Sequence, residues 1–363
     1  MSSRELNGCM EALKTDRAVE ELRRGRAIEL IEGSKSWVIA AVETLEPSLL
    51  KQLKSLYNDK IKLLITAQRA EAAGLSKNSD APVEIEFKND LNLEDIRSLA
   101  GLRPIISQEK ILKIKPSQKL NSTTAAFQLA KIARLLPALL SMPSKETFDS
   151  NVISINISDI DNSESTCHNL KLISKARVPL IETESCEMVL FRQQRGFGEH
   201  LAIIIGSLDS QPIIPVRLHS ACLTGDLLGS LRCDCGDQLK SAVSNIASFG
   251  SGVLLYLDQE GRGIGLANKL RAYALQDMGL DTLDADQHLG FLPDERTYEV
   301  AASMLKGLGI NKINLLTNNP SKINALKEYG IDVVGRLPLV APVNSHNQRY
   351  LKAKLDRAGH LAE

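Results

Sequence analysis

Residues 217–238, RLHSACLTGDLLGSLRCDCGDQ, constrain the fold more than any other stretch of the chain. They hold three of its six cysteines, spaced as Cys222, ten residues, Cys233, one residue, Cys235. Side chains one residue apart share a side only in extended backbone, so 233–235 is expected to be strand-like. Such a pair does not readily close a disulfide, but it can share a metal ion. Three thiolates without a fourth Cys suit a catalytic zinc, which keeps one position open for water; structural zinc sites fill four. His219, just upstream of Cys222, is a candidate fourth ligand. Inert buried cysteines are the competing reading, since Cys is among the most buried residue types. Cys clusters in reducing compartments more often bind metal or act in catalysis, which favours one zinc per chain.

The 363 residues leave room for about two domains, and at 43% hydrophobic the chain can bury a sizeable core. Lys plus Arg equals Asp plus Glu, 44 each, so no broad basic footprint for nucleic acid is present. No apolar run is long enough to span a bilayer. The first residues, MSSRELNGCMEALKTDR, lack the apolar core of a signal peptide. The expectation is a cytoplasmic protein that binds neither nucleic acid nor membrane.

Around the cysteines, apolar runs alternate with helical patterns. Strands are expected at 188–192, 201–205, 213–218, 253–257, 311–317 and 331–340, with a glycine-containing turn at 195–199. Helices are expected at 237–249, after the loop 258–265 as far as Met278, at 293–308, from 318 onward with Pro320 in the first turn, and at 347–358. This alternation implies an α/β domain. The loop DQEGRGIG follows a strand and precedes a helix, the order in which backbone approaches phosphate at a helix N-terminus. Arg262 within it can fork onto phosphate oxygens; a tight turn with a surface Arg reads equally well. Asp294 in PDER reads by itself as a plain N-cap. Tyr273 reads by itself as helix packing.

HSACLTGD…RCDCGDQL resembles the zinc segment of GTP cyclohydrolase II, the entry enzyme of riboflavin biosynthesis. The resemblance continues through LLYLDQEGRGIGLANKLRAYALQD, DTLDADQHLGF, PDERTYEVA and LLTNNPSK, over roughly residues 185–361. It implies zinc on Cys222, Cys233 and Cys235, with Asp294 as proton acceptor and Tyr273 near the reacting base. It assigns Arg296 as a nucleophile on the α-phosphorus. A guanidinium is effectively always protonated, and suits the stabilisation of phosphoryl charge better. It also implies GTP binding by Arg217, His219, Ser220, Gln238, Glu260, Gly261, Arg262, Thr282, Thr317 and Lys322, with Glu260 and Gln238 reading the guanine. The implied reaction opens the imidazole ring of GTP at carbon 8, releases formate and diphosphate, and yields 2,5-diamino-6-ribosylamino-4(3H)-pyrimidinone 5′-phosphate. Zinc would lower the pKa of water to about 7, magnesium would accompany the triphosphate, and a homodimer is implied. Two departures stand out: Ala221 where the family commonly has Glu, and Asp286 and Gln287 in DADQHLGF. The alternatives are a paralogue that opens the ring but retains formate, and a non-catalytic nucleotide- or zinc-binding regulator.

In the first half, a helix is expected at 16–24 with Gly25 as its stop, then a hairpin of 27–31 and 37–42 around Glu32-Gly33-Ser34. A helix at 47–56, a strand at 61–65, a helix at 67–73 and a helix at 122–135 follow, the last capped by Ser122 or Thr123. The segments 18–31, LLITAQRAEAAGL and STTAAFQLAKIARLLPALL resemble 3,4-dihydroxy-2-butanone 4-phosphate synthase, without its chemistry. The acidic magnesium-binding run of that family is here IEGSKSWVIAA, and its His-Thr-Glu triplet is Ser122-Thr123-Thr124. The expected organisation is α/β in two domains: a degenerate synthase-like α+β domain at 1–145, a Ser/Asn/Asp-rich linker region at 146–177, and an α/β cyclohydrolase II-like domain at 178–363. The first domain is expected to pack against the cyclohydrolase half or to help it dimerise. Cys9, Cys186 and the Cys167-His168 pair read as incidental.

Overall fold

The computed structural model describes residues 3–57, 60–76, 81–87, 92–104, 111–117, 121–144, 151–160, 170–193 and 198–339, with 3–12 as backbone only. These form two compact units, Met1–Thr166 with Ala267–Glu295, and Cys167–Leu266 with Arg296–Glu363. The units do not follow chain order: residues 267–295, which the sequence reading assigns to the second domain, belong to the first unit.

Among the described residues, the first unit is built on a seven-stranded sheet. Its strands are β1 (Ile28–Glu32), β2 (Lys35–Ala41), β3 (Lys62–Ile65), β4 (Val83–Phe87), β5 (Ile111–Pro116), β6 (Ala138–Pro143) and β7 (Ser154–Asn156), in the order β5-β4-β3-β6-β2-β1-β7. All neighbours are antiparallel except β1 and β7. The expected hairpin is present: Glu32 pairs with Lys35 across Gly33-Ser34, and Gly33 takes the positive φ of +61° that such a turn requires. Strand period two then splits the core. Val38 and Ala40 of β2 pack with Leu50, Leu53 and Tyr57 of the helix Pro47–Tyr57. Ile39 and Ala41 face Ala18 and Leu22 of the helix Ser3–Arg23 and Ala126 and Leu129 of the helix Asn121–Ile132. Two buried faces explain why β2 reads as an unbroken apolar run. Ser122 and Thr123 are not caps: the helix begins at Asn121, and both side chains are buried within its first turn.

The second unit contains β8 (Leu170–Arg177), β9 (Cys186–Gln193), β10 (Glu199–Ile205), β11 (Ile214–Ser220), β12 (Gly252–Leu257), β13 (Lys312–Leu316) and β14 (Asp332–Leu337), in the order β14-β13-β11-β12-β10-β9-β8. From β14 to β12 the strands run parallel; β12, β10, β9 and β8 form an antiparallel meander. Leu170–Arg177 is therefore an edge strand, where the sequence reading placed linker. Its residues are nearly all exposed, so their polar pattern carries no burial signal; pairing with β9 makes them a strand. β11 lies inside the sheet. Val216 and Leu218 join the core under the helices Glu299–Gly307 and Pro320–Glu328, while Arg217 reaches the helix Cys235–Ser248 through Gln238.

One helix starts later than its pattern suggests. The expected helix from 293 begins at Glu299, with Tyr298 as N-cap, so Asp294 is no cap and lies exposed in irregular chain. The expected helix at 347–358, most of the turn at 195–199, and Cys167-His168 lie outside the described residues, as does the Cys9 side chain.

Candidate functional site

The parallel strands of the second unit end along one edge, the usual place for ligands in open α/β sheets. β11 delivers Ser220, Ala221 and Cys222 there, and Cys222 caps a single wide π-type turn, Leu223–Leu227. Cys233 and Cys235 arrive by a route the spacing did not suggest. The backbone is not extended: Asp234 sits at φ −102°, ψ 9°, and Cys235 is the first residue of the helix Cys235–Ser248. The turn at Asp234 swings both sulfurs toward Cys222. All three Sγ atoms lie within 4.8 Å of one another, and Cys222 Sγ is 3.7 Å from Cys233 Sγ.

Two glycines make this possible. A Cβ on Gly225 would stand 2.7 Å from Cys233 Sγ, 2.9 Å from Cys235 Cβ and 3.0 Å from Cys222 Sγ. A Cβ on Gly236 would stand 2.4 Å from Gly225 O. Sequence reading passed over both, because the need is for space rather than for an unusual φ.

The donor set fits a soft cation. Tetrahedral zinc with Zn–S near 2.3 Å puts its sulfurs about 3.8 Å apart, close to the Cys222–Cys233 separation. Shared hydrogen bonds with Cys222 push the Cys233 thiol up, and push Cys235 well above the ordinary thiol range, with burial adding to both. A bound cation inverts that balance, because a coordinating thiol is deprotonated outright. Among the described residues, no other group of three His, Cys, Asp or Glu side chains is gathered closely enough to hold a metal.

His219 is not in that group. Its Nε2 faces Asp226, 3.0 Å from Oδ1 and 3.1 Å from Oδ2, and its ring stacks on Tyr256 with centroids 5.6 Å apart. Burial holds the imidazole below its ordinary pKa, against the pull of Asp226, so the neutral form prevails near pH 7. Asp226 is a hub that sequence reading missed: it also accepts from Cys222 N at 2.9 Å and from Tyr256 Oη at 2.9 Å. Its one available signal was its place in the same cysteine stretch.

The basic residues gather nearby. Arg217 is fully buried; burial lowers its pKa to about 10, still protonated at neutral pH. Its Nη1 donates to Leu316 O at 2.8 Å and its Nη2 to Gln238 Oε1 at 2.6 Å. Gln238 in turn donates through Nε2 to Asp234, so both of its polar ends are engaged. The Arg296 guanidinium and Lys322 Nζ lie over the Tyr298 ring, 5.8 and 5.9 Å from its centre. Lys322 Nζ also donates to Leu218 O at 3.1 Å. Asn319 caps the helix Pro320–Glu328 through Ser321 N, and its own N–H donates to Thr317 Oγ1 at 3.0 Å. Pro320 occupies the first turn, as expected.

In the glycine loop, Gly261, Arg262, Gly263 and Gly265 all have positive φ. For Arg262, at +59°, this is uncommon backbone for a residue with a Cβ, and such residues cluster at functional sites. Glu260 ties the loop to the cysteine turn, accepting from Leu223 N at 2.6 Å. Three buried polar atoms at the end of β11 have no hydrogen-bond partner among the described residues: Arg217 Nε, His219 Nδ1 and Ser220 Oγ. Buried polar groups are rarely left so, and ligands or water commonly complete them.

Tyr273, Thr282 and Asp294 belong to the first unit. Lys269 Nζ lies 5.8 Å from the Tyr273 ring centre, and Thr282 opens the short helix Thr282–His288, capped by Asp281. A small open cleft in the same unit brings together Trp37, Ser122 and Thr123 with Lys62 and Glu84. Among the described residues, Glu84 is its one lining carboxylate, paired with Lys62 at 2.8 Å.

A largely buried three-thiol cluster at the carboxyl edge of a parallel sheet, with basic side chains nearby, defines a class: α/β proteins with a thiol cluster able to hold a soft metal. Comparison with known proteins narrows the class. A family model described as GTP cyclohydrolase II matches residues 171–338. A GTP cyclohydrolase-2 of Azospirillum brasilense is 41% identical over 360 residues, 95% of this chain and 93% of its own length. One of Escherichia coli is 47% identical over 192 residues, 53% of this chain and 97% of its own. The crystal structure of a two-domain 3,4-dihydroxy-2-butanone 4-phosphate synthase from A. baumannii is similar over 90% of this chain and 99% of its own, at 15% identity and TM-score 0.34. The chain belongs to the GTP cyclohydrolase II family and is an enzyme of that family.

Proposed function

We propose that the chain is a zinc-dependent GTP cyclohydrolase II of riboflavin biosynthesis. It would hydrolyse GTP to 2,5-diamino-6-ribosylamino-4(3H)-pyrimidinone 5′-phosphate, formate and diphosphate, with magnesium on the triphosphate. The observation that carries this reading is the row of unpartnered polar atoms on Arg217, His219 and Ser220, beside three converging thiols and the cations Arg296 and Lys322.

Cys222, Cys233 and Cys235 would hold the zinc, which when bound supplies Lewis acidity and a water made nucleophilic near neutral pH. The chain's own residues do the rest. With Nε2 donating to the Asp226 carboxylate, His219 presents Nδ1 as an acceptor, suited to a substrate N–H. Arg217 Nε and Ser220 Oγ supply donors. A site that hydrogen-bonds a polar edge rejects analogues lacking it by roughly 10⁴ or more. Gln238 contributes by fixing Arg217. Glu260, Gly261, Arg262, Thr282, Thr317 and Lys322 would bind the nucleotide, with Glu260 near the guanine. Arg296 would stabilise charge as diphosphate leaves, since its guanidinium stays protonated. Asp294 as proton acceptor and Tyr273 near the base rest on the family pattern. A cytoplasmic homodimer, which the family resemblance implies, completes the reading.

The test supplies purified protein with GTP and magnesium and follows formate, diphosphate and the pyrimidine together. All three in equal amounts supports the proposal. A ring-opened product without formate identifies the paralogue, and binding without turnover a regulator.

A further inference from the structure

The first unit contains a segment of the cyclohydrolase sequence, and its own residues fix that segment. Residues 267–295 match the family motifs RAYALQD, DTLDADQHLGF and PDE, and they carry Tyr273, Thr282 and Asp294. Their attachments are specific. Arg69, 1% exposed, spends its whole guanidinium on three carbonyls: Nε donates to Leu99 O at 2.7 Å, Nη2 to Ser98 O at 3.0 Å and Nη1 to His288 O at 2.9 Å. Thr66 Oγ1 donates to Gly290 O at 2.8 Å, two residues on, and also accepts from Arg69 N. The fit there is close: a Cβ on Gly290 would stand 2.9 Å from Thr66 Oγ1.

Two ion pairs hold the ends of the segment. Glu43 accepts from Arg271 Nη2 at 2.9 Å, and its other oxygen accepts from Leu136 N at 2.8 Å. Lys131 Nζ lies 2.8 Å from Glu295 Oε1, and that same oxygen accepts from Leu292 N at 2.7 Å. Asn268, fully buried, donates to Arg134 O at 3.2 Å. The attachments therefore run from residue 268 to residue 295, and Glu295 directly follows Asp294.

We infer that the synthase-like half is retained as a positioning element: through Glu43, Arg69 and Lys131 it sets the placement of the segment that carries Tyr273, Thr282 and Asp294. Glu43, Arg69 and Lys131 are positioning residues, not catalytic ones; each acts through the segment it holds. This explains a domain that has lost the acidic run and the His-Thr-Glu triplet of its relatives yet keeps its core. The inference rests on the proposed roles of Tyr273, Thr282 and Asp294. Small misplacements of reacting groups are costly, about 10²-fold for 1 Å.

The test uses the full-length chain and three variants: Lys131→Glu, the reversal Lys131→Glu with Glu295→Lys, and Arg69→Lys. Lys131→Glu sets two carboxylates against each other at a partly buried site, and thermal unfolding checks that the fold survives. Its kcat for formate release should fall about tenfold or more, with one zinc per chain and KM for GTP changed less than kcat. The reversal should recover most of the loss. Arg69→Lys, which cannot reach three carbonyls, should lose kcat in the same way. Amide hydrogen exchange at 282–295 is read in parallel, and should quicken in Lys131→Glu and slow again in the reversal. Wild-type kcat and unchanged exchange in Lys131→Glu would overturn the inference. If the wild-type chain makes no formate, the proposed function fails by itself, and exchange at 282–295 still decides whether these residues hold the segment.

Discussion

Gly225→Ala tests the proposed metal centre with a single added carbon. Gly225 is not among the positive-φ glycines, so an alanine backbone is unstrained there and the effect is one of space alone. The new methyl would lie 2.7 Å from Cys233 Sγ and 3.0 Å from Cys222 Sγ, where van der Waals contact needs roughly 3.5–4 Å. The sulfurs must therefore retreat by about 1 Å. Little else can yield: Cys235 Cβ is 2.9 Å away on the first residue of a helix, and Gly236 backs onto Gly225 O from the other side. Overpacking of this kind costs about 1–3 kcal/mol. Borne by the three-thiol arrangement, that weakens zinc about 5- to 150-fold. The Gly225 N–H to Cys222 Sγ hydrogen bond, 3.3 Å, is strained by the same movement. Zinc per chain, affinity by competition with a chromophoric chelator, and formate release are measured together, with thermal unfolding as the control for global damage. Wild-type zinc affinity and wild-type formate release in a folded Gly225→Ala protein would refute the thiol cluster as the metal centre.

Asp226→Ala removes the carboxylate acceptor shared by the Cys222 N–H, the Tyr256 hydroxyl and His219 Nε2, at about 1–3 kcal/mol for a buried group deprived of its partner; thermal unfolding should show the larger loss in Ala and a smaller one in Asn. Arg296→Ala should lose diphosphate release while keeping one zinc, since its side chain lies by Tyr298 and not among the thiols; normal diphosphate release would remove both its nucleophilic and its electrostatic role. Burial, with Arg69 alongside, pushes the His288 pKa down to about 4, from about 6.5 in the unfolded chain. The unfolded state therefore takes up this proton first, and the contribution of neutral His288, full above about pH 6.5, is lost as pH falls toward 4; a melting-temperature profile should be flatter over that window in His288→Gln. Given ribulose 5-phosphate and magnesium, the chain should form no four-carbon product, because among the described residues the cleft holding Trp37, Ser122 and Thr123 is lined by a single, already paired carboxylate; clear turnover would contradict the loss of synthase chemistry.

Local pattern alone determined a good part of this protein. The β1–β2 hairpin was legible because a two-residue turn with glycine at positive φ is a short-range signal. The run before His219 was legible as a strand because the interior of a parallel sheet demands continuous apolar sequence. Pro320 marked a helix start because its fixed φ suits the first turn. The three thiols were legible because few residue types bind a soft metal. Other features exist only through partners distant in sequence. Leu170–Arg177 is a strand because β9 pairs with it, not because its own exposed residues ask for it. Asp294 looked like a cap because Asp precedes a helical pattern, but that helix starts only at Glu299. Cys233 and Cys235 converge by a turn and a helix N-terminus rather than an extended segment, since the space left by Gly225 and Gly236 sets the geometry. Asp226 became a hub only when β11, β12 and the cysteine turn brought His219, Tyr256 and Cys222 to one carboxylate. Residues 267–295 joined the first unit because Arg69, Glu43 and Lys131 offer partners that no local window contains. Periodicity and residue chemistry act over a few residues, whereas pairing, burial and the satisfaction of buried polar groups are settled between segments hundreds of residues apart, and only the folded chain brings those segments together.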